Sequence, residues 1–452
     1  MKKFVNNIEH LNNKSLWLII FLYALLASLL IQLFLLPVFF PNWCDPNGLL
    51  NGGDTQNFHQ IAVTVSEQIK MQGWGAWTLR PQGQSPAGVA AILYTVFLPK
   101  PWVLLPLNAI LHATASLVLL KILNIVFKNR KTAIIGTLPF IFFPTSFLWL
   151  AQIHKDGFTI LGNLLILLSL LSFLDCRWKP PFLKELKTLL LFWLGVILIW
   201  IPRPYQVKIL QGELVLIAVL ILILALFRQK KLRWPNTITP LVLIVLMVAI
   251  NPLAQNYGIK EKNDPMIMTP QAGTPQAGTP QVQYLQYQRT FWIPTVVENL
   301  FSGLAKLREG YLQYYQNAAS EIDANVHFTS ASQIFAYLPR AVEISLLAPF
   351  PSDWFGQGSL ASTTMMRRVA AVEMTITYFS LICFLLFFLK TIKKTEVWVI
   401  VSFCLGMMVV NTLSTPNVGT LYRFRYGFIM VLVGLGMGYF YNSYWLARRK
   451  TH

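Results

Sequence analysis

Two acidic side chains stand where a carboxylate could take up a proton during catalysis. The first, Asp54, follows two glycines and precedes a run at helical spacing that contains Phe58, with His59 as a further polar group. An aspartate before a helix can also be its N-cap, because its side chain accepts hydrogen bonds from backbone N–H groups. The general-base role and the capping role can coexist, so both stay open for Asp54. Asp45, which precedes a proline, is more typical of a turn.

The second acidic position belongs to three consecutive ionisable residues, His154, Lys155 and Asp156. They stand between two apolar runs, where few charges are expected, and Asp156 opens the second run. A cap on the following helix is one interpretation of this triplet, and a functional site is the other. The pattern favours a functional site, with Asp156 as a second catalytic carboxylate. His154 and Lys155, like His59 in the first loop, are candidates for substrate binding.

A third group of residues is basic and could bind phosphate. Arginine presents a planar guanidinium that suits phosphate oxygens, although near a membrane it can simply extend toward water. We expect Arg203, Arg423 and Arg425 to face one cavity, because isolated cations in hydrocarbon would be costly. The candidates for substrate binding in this group are Arg203 with Tyr205, Arg340, and Tyr422 with Arg423 and Arg425.

Several well-known catalytic patterns are missing from the sequence. It contains no Walker A loop, no Cys/His set at zinc-binding spacing and no Gly-x-Ser-x-Gly nucleophile elbow. ATP-driven transport and hydrolysis of the soluble-enzyme type therefore lose most of their support. The 4 cysteines are scattered and give no disulfide framework.

The elements that position these groups are predicted to lie in a membrane. Of the 452 residues, 55% are hydrophobic and only 12% are charged, about half the charged fraction of a typical soluble domain. We predict an all-α, polytopic integral membrane helical bundle with about ten spanning helices. The predicted spans are 16–40, 103–127, 132–150, 157–175, 188–202, 211–227, 237–253, 370–389, 396–413 and 426–446.

The net charge of +19 is concentrated in short segments between apolar runs. These basic clusters fall in alternate loops, as the positive-inside rule requires, so both termini are predicted to be cytoplasmic. Anionic lipid headgroups, not nucleic acid, are the expected partners of the cations. The clusters are Lys128/Arg130/Lys131, Arg177/Lys179/Lys184/Lys187, Arg228/Lys230/Lys231/Arg233, Lys390/Lys393/Lys394 and Arg448/Arg449/Lys450.

Two long loops on the outer side set the predicted domain organisation. The divisions are an N-terminal transmembrane module, 1–253, a long outer loop, 254–369, and C-terminal transmembrane helices, 370–452. The first outer loop, 41–102, should contain an amphipathic helix on the membrane surface and a short apolar helix at 85–98. The second should contain a surface helix at 296–315. It also contains a Thr-Pro-Gln-Ala-Gly repeat at 269–278, which is predicted to be disordered.

Three short motifs in this layout resemble those of a known superfamily of membrane enzymes. They are Asp54 with Phe58 and Ala62, the Pro139–Pro144 stretch followed by 154–157, and Tyr422-Arg423-Phe424-Arg425 before a last apolar helix. In this respect the chain resembles the GT-C superfamily of polyprenyl-phosphate-dependent glycosyltransferases, such as protein O-mannosyltransferases and lipid A aminoarabinose transferases. The stretch 347–351, with Arg368 and Glu373 after it, resembles membrane proteins of exopolysaccharide clusters.

The resemblance implies an inverting glycosyltransferase that acts on the outer face of the cytoplasmic membrane. Its donor would be a polyprenyl-phosphate-linked sugar, and its acceptor a glycan, lipid or protein. Asp54 would remove the acceptor proton, and the arginines with Lys155 would hold the departing lipid phosphate. No Asp-x-Asp motif is present, so the sequence gives no support for a divalent metal and predicts no certain cofactor.

Two other functions remain open at the level of sequence. A lipid-linked oligosaccharide polymerase or ligase also works at the outer face with arginines, but its donor carries a pyrophosphate. A lipid-linked glycan flippase should have polar residues deep in several spans and an internal repeat. The predicted spans are largely apolar and no repeat of halves is evident, so the flippase is the weaker alternative.

Overall fold

A computed structural model describes residues 10–174, 182–227, 286–314 and 318–446. The regular structure in these ranges is helical, with isolated β-bridges and no strand. The all-α prediction is therefore confirmed for the part of the chain that the structure describes. The predicted span 237–253 and the repeat at 269–278 lie outside the described residues.

The α-helices are numbered in chain order. The first nine are α1 (Asn13–Leu30), α2 (Asp54–Gln72), α3 (Ser85–Val96), α4 (Leu105–Phe127), α5 (Arg130–Phe142), α6 (Phe147–Leu150), α7 (Asp156–Leu174), α8 (Phe182–Trp200) and α9 (Pro204–Phe227). The remainder are α10 (Thr295–Tyr314), α11 (Ala331–Leu347), α12 (Ala361–Thr391), α13 (Thr395–Ser414), α14 (Val418–Phe424) and α15 (Tyr426–Tyr441). Helix α1 continues as a π-helical segment, Ile31–Phe39.

Several helices are long and apolar enough to cross a membrane. Among the described residues there are 6 of them, or up to 8 if each of two bent helix pairs is one span. Every predicted span within the described ranges overlaps a helix, although α8 is not among the six, since charged residues stand near its start. The six are Asn13–Phe39, Pro101–Phe127, Asp156–Leu174, Pro204–Leu224, Ala361–Thr391 and Thr395–Ser414. The chain therefore has the helices of a multi-pass membrane protein.

Hydrophobic spacing decides which side of a spanning helix packs inside the protein. In α1, Leu16, Ile20 and Ala24 are buried at intervals of one helical turn, whereas Leu22 and Leu26 are exposed. In a bilayer these exposed leucines contact lipid chains, which are as apolar as they are. One face of α1 thus packs against the protein and the other faces lipid.

Glycines bring α7 and α8 into close contact. A Cβ atom placed on Gly162 would lie 2.7 Å from the carbonyl oxygen of Gly195, and the reverse distance is also 2.7 Å. These distances leave no room for side chains, so the two backbones touch directly. The contact lies toward the start of α7 and the end of α8, close to the positions of Asp156 and Arg203.

The first long loop folds into a pair of packed helices, α2 and α3. The buried face of α2 consists of Thr55, Phe58, Ile61, Ala62, Val65, Ser66 and Ile69. Its apolar residues form one core with Ala87, Ala90, Ala91 and Tyr94 of α3. The predicted helical spacing is confirmed, and α3 is confirmed as a helix too short to be counted as a span.

The chain divides into two compact units. The first consists of Met1–Val248, Thr375–Cys404 and Gly427–His452, and the second of Ala249–Met374 and Leu405–Tyr426. The helix predicted at 296–315 is present as helix α10, and its position on the outer surface stays a prediction. In the second unit α10 and α11 pack around a core that includes Ala305, Phe328, Ile334, Ala341 and Leu413.

Candidate functional site

Asp54 is the first residue of α2, whereas an N-cap residue stands directly before the first helical residue. The N-cap position is Gly53, and no side chain caps this helix end. A carboxylate in the first turn is stabilised by the positive end of the helix dipole. Within the described part of the chain, the partly exposed carboxylate of Asp54 takes part in no hydrogen bond or ion pair. A substrate would therefore displace no described contact of the Asp54 carboxylate.

Asp45 has a different role, as the sequence indicates. Its Oδ1 accepts hydrogen bonds from the backbone N–H groups of Asn47 and Leu49, both at 2.9 Å. These bonds close a turn, so the turn prediction is confirmed. The two aspartates of this loop thus differ in their contacts. The Asp45 carboxylate binds backbone N–H groups, whereas that of Asp54 has no described partner.

The loop that precedes α7 packs on the helix that Asp54 opens. Ile153 belongs to the core of α2 and α3, and Lys155 Nζ lies 5.4 Å from the ring centre of Phe58. Phe58 is one helical turn after Asp54, and Lys155 directly precedes Asp156. An ammonium group over an aromatic face is a favourable contact. The structure therefore brings the elements that carry both predicted catalytic carboxylates against each other.

Buried amide side chains hold this loop in place. Asn108 Nδ2 lies 2.8 Å from the backbone oxygen of Gln152 and 3.0 Å from that of Leu150. Gln32 Nε2 donates to the backbone oxygen of Ala151 at 2.9 Å, and Gln152 Nε2 donates to that of Gly48 at 3.1 Å. Backbone carbonyls buried in a loop need such donors. The loop before α7 is consequently a fixed part of the fold.

Asp156 is the first residue of α7 and is only 1% exposed. Its Oδ1 lies 2.5 Å from Arg203 Nη2, and its Oδ2 lies 3.0 Å from His154 Nδ1. Thr159 Oγ1, one turn further along α7, lies 3.4 Å from Arg203 Nη1. The predicted residues His154, Asp156 and Arg203 thus form one buried polar cluster. A buried carboxylate requires a partner of this kind, because an unpaired buried charge is costly.

Arg203 stands in the turn between α8 and α9, with Tyr205 in the first turn of α9. Its backbone N–H donates to the carbonyl oxygen of Ile199, which continues the hydrogen-bond pattern of α8. Sequence reasoning did not identify Arg80, which donates to the carbonyl oxygens of Trp200 and Ile201 at the end of this helix. Its guanidinium also lies 4.2 Å from the Trp200 ring centre. The signal for Arg80 was present, since it is a cation in a predicted outer loop.

His59 lies between the two helices of the first loop. Its Nδ1 is 2.8 Å from the hydroxyl of Tyr94, a fully buried side chain of α3. Burial lowers the pKa of His59 below its ordinary value; the charge of Asp45 raises it and that of Lys100 lowers it further. The net lowering favours the neutral imidazole, and the tyrosine contact fixes its orientation.

In the second unit, Arg340, which was predicted to bind phosphate, is bound by two carboxylates. Its Nε and Nη2 donate to Asp323 at 3.0 and 3.2 Å, and its Nη1 donates to Glu343 at 2.9 Å. Burial raises the pKa of Asp323, but hydrogen bonds from Arg340 and Tyr337 outweigh it and hold this pKa below the ordinary value. These contacts favour a structural role for Arg340.

Arg425 and Tyr422 also have protein partners in the second unit. Arg425 Nη1 donates to the backbone oxygens of Ile344 and Ser345, at the C-terminal end of α11, where helix carbonyls lack partners. The Tyr422 hydroxyl donates to Glu373 at 2.6 Å. Arg203 belongs to the first unit and Arg423 and Arg425 to the second, so their convergence on one cavity stays a prediction.

The described residues contain no group of three or more His, Cys, Asp or Glu side chains that could hold a metal ion. The chain matches no protein-family model, no curated protein and no solved structure. Function is therefore inferred from the geometry of the site. In the first unit Asp54 begins a helix that contacts Lys155 and Ile153 of the loop before α7. The same loop carries His154, which lies in the buried cluster with Asp156 and Arg203.

Proposed function

We propose that this protein is a membrane glycosyltransferase that takes a sugar from a polyprenyl-phosphate donor. The acceptor hydroxyl belongs to a glycan, lipid or protein at the outer face of the cytoplasmic membrane. The observation that carries the proposal is the packing of α2 on the loop before α7 through Phe58 and Lys155. It supports a site in which a carboxylate and cations act together beside a set of membrane-spanning helices.

Asp54 is the general base in this proposal. The acceptor oxygen bonds to the anomeric carbon of the sugar as its proton passes to the Asp54 carboxylate. The bond between that carbon and the phosphate oxygen breaks, and its electron pair leaves with the polyprenyl phosphate. Attack opposite the leaving group inverts the anomeric centre. Arg203 is already paired with the buried carboxylate of Asp156, so we assign the base to Asp54, whose carboxylate has no described partner.

The cluster around Asp156 positions the cations of the site. Arg203 and Asp156 largely neutralise each other, so the pair fixes the start of α7 and the turn between α8 and α9. Lys155 is held beside Asp156 and over Phe58, where its ammonium supplies positive charge. Negative charge grows on the leaving phosphate in the transition state, and a fixed cation stabilises it there. We assign that role to Lys155.

A matched pair of variants tests the assignment of the base. Asp54→Asn keeps the shape of the side chain and is expected to leave the fold intact, because this carboxylate holds no described partner. Transfer should fall by about 10²–10⁴-fold, the usual cost of losing a general base. Asp45→Asn changes the same charge in the same loop. An asparagine can accept the same turn hydrogen bonds, so transfer should stay near the unmodified level.

The assay follows transfer from a polyprenyl-monophosphate sugar by purified protein in liposomes, with the amount of folded protein measured alongside. Equal transfer by Asp54→Asn and the unmodified protein would remove Asp54 as the base. An equal loss of transfer in both variants would show that transfer depends on the negative charge of the loop and not on Asp54 as a proton acceptor.

A further inference from the structure

A carboxyl group lies near the middle of the spanning helix α9. Glu213 is 3% exposed, and both α9 and its neighbour α13 are long and apolar enough to cross a membrane. The hydroxyl of Ser402, near the middle of α13, donates to Glu213 Oε1 at 3.4 Å. Asp54, Asp156 and the other residues of the proposed transfer site are all elsewhere in the chain, and that site leaves Glu213 without a role.

The described residues around Glu213 contain little that could balance a negative charge. Among the described residues, no Lys, Arg or His forms an ion pair with it. The titratable group that faces it from α13 is the thiol of Cys404, which is fully buried. Cys404 offers no positive charge, and a serine hydroxyl offers one weak hydrogen bond. A carboxylate in this position would be strongly disfavoured, because nothing described compensates for its lost hydration.

Neutralisation by a proton removes most of this cost. A protonated carboxyl keeps one acceptor oxygen for Ser402 and gains an O–H donor. Acidic residues inside spanning helices are rare, face the protein interior and commonly mark paths for protons or ions. A purely packing role would be served as well by glutamine, which has the same size and no charge to suppress.

We propose that Glu213 is a proton-binding site between the spanning helices α9 and α13. Proton release leaves a carboxylate between α9 and α13, so occupancy of the site changes the free energy of their contact. The ligand is the proton itself, and the site does not depend on the proposed glycosyl transfer.

A hydrophobic carbodiimide tests this assignment. Dicyclohexylcarbodiimide enters the bilayer and reacts with protonated carboxyl groups: the proton moves to a carbodiimide nitrogen and the carboxyl oxygen bonds to the central carbon. The unmodified protein in liposomes is treated over a range of pH, and the adducts are mapped by mass spectrometry. We expect an adduct on Glu213 at neutral pH. The labelled fraction should fall about tenfold per further pH unit once the carboxyl has titrated.

Two variants and one salt comparison complete the test. Glu213→Gln should lose the adduct, whereas Ser402→Ala should keep it, because burial and not the hydroxyl holds the proton. Absence of an adduct on Glu213 at every pH would overturn the proposal. Protection by sodium at constant pH would also overturn it, because the site would then bind a metal cation in preference to a proton. The readout needs no transferase activity.

Discussion

The ion pair between Asp156 and Arg203 is the residue-scale feature on which the site is built. Both side chains are buried, at 1% and 5% exposure, so removal of either partner leaves an uncompensated charge. We expect Arg203→Gln and Asp156→Asn each to destabilise the protein by about 3–5 kcal/mol. The double variant leaves no unpaired charge and should recover part of that loss. Thermal unfolding in detergent measures all three, and single variants as stable as the unmodified protein would contradict the buried pair.

His59 makes a separate prediction about pH. Its folded pKa is lowered from the ordinary 6.5 by burial, so below about pH 6.5 the unfolded chain binds a proton more readily than the folded protein. Stability should therefore fall as the pH falls below this value, and His59→Gln should reduce the dependence. NMR titration of labelled histidine gives the midpoint directly. A midpoint at or above 6.5 in the folded protein would show that the ring is not desolvated as described.

At the scale of helices, the glycine contact between α7 and α8 helps to set the positions of Asp156 and Arg203 relative to each other. A methyl group on Gly162 or Gly195 would meet the opposing backbone at 2.7 Å, so either alanine variant should destabilise by about 1–3 kcal/mol. Gly212→Ala in α9 is the matched control, since nothing lies within 4 Å of its Cβ position. Alanine there should be neutral or stabilising by up to about 1 kcal/mol. Equal melting temperatures for the two kinds of variant would argue against the close crossing.

Helix positions could be predicted from the sequence because they depend on local hydrophobic periodicity. The repeat of Phe58, Ala62, Val65 and Ile69 predicts the buried face of α2, and the structure confirms it. The N-cap residue could not be predicted from the sequence. Gly53 and Asp54 both suit a helix start, and they differ in position by one residue.

Side-chain partners were harder to predict than helices, for a physical reason. Asp156 and Arg203 are far apart in the sequence, and their contact depends on how α7 and α8 cross. Arg425 was expected to bind phosphate, but it donates to backbone carbonyls at a helix end. Arg80, which was not among the predicted residues, makes the same kind of contact. A guanidinium suits both kinds of oxygen, so residue type alone does not distinguish a ligand-binding arginine from a structural one.

At the scale of the whole molecule, the chain combines membrane-spanning helices with a packed helical pair in its first long loop. In the proposed reaction the polyprenyl chain would lie along the spans, and the helical pair carries Asp54 and contacts the loop before α7. This arrangement suits a reaction in which one substrate is a lipid and the other enters from water. It also makes the donor the property that most clearly separates the possible functions.

The most direct test is therefore the donor that the intact, unmodified protein uses. Purified protein in liposomes is offered either a polyprenyl-monophosphate sugar or a pyrophosphate-linked oligosaccharide, and release of the lipid phosphate is measured with transfer to an acceptor. We expect release of polyprenyl monophosphate coupled to transfer of one sugar with inverted anomeric configuration. Activity with the pyrophosphate-linked donor alone would contradict this expectation and indicate a polymerase or ligase. Movement of either lipid between leaflets without transfer would contradict it in favour of a flippase.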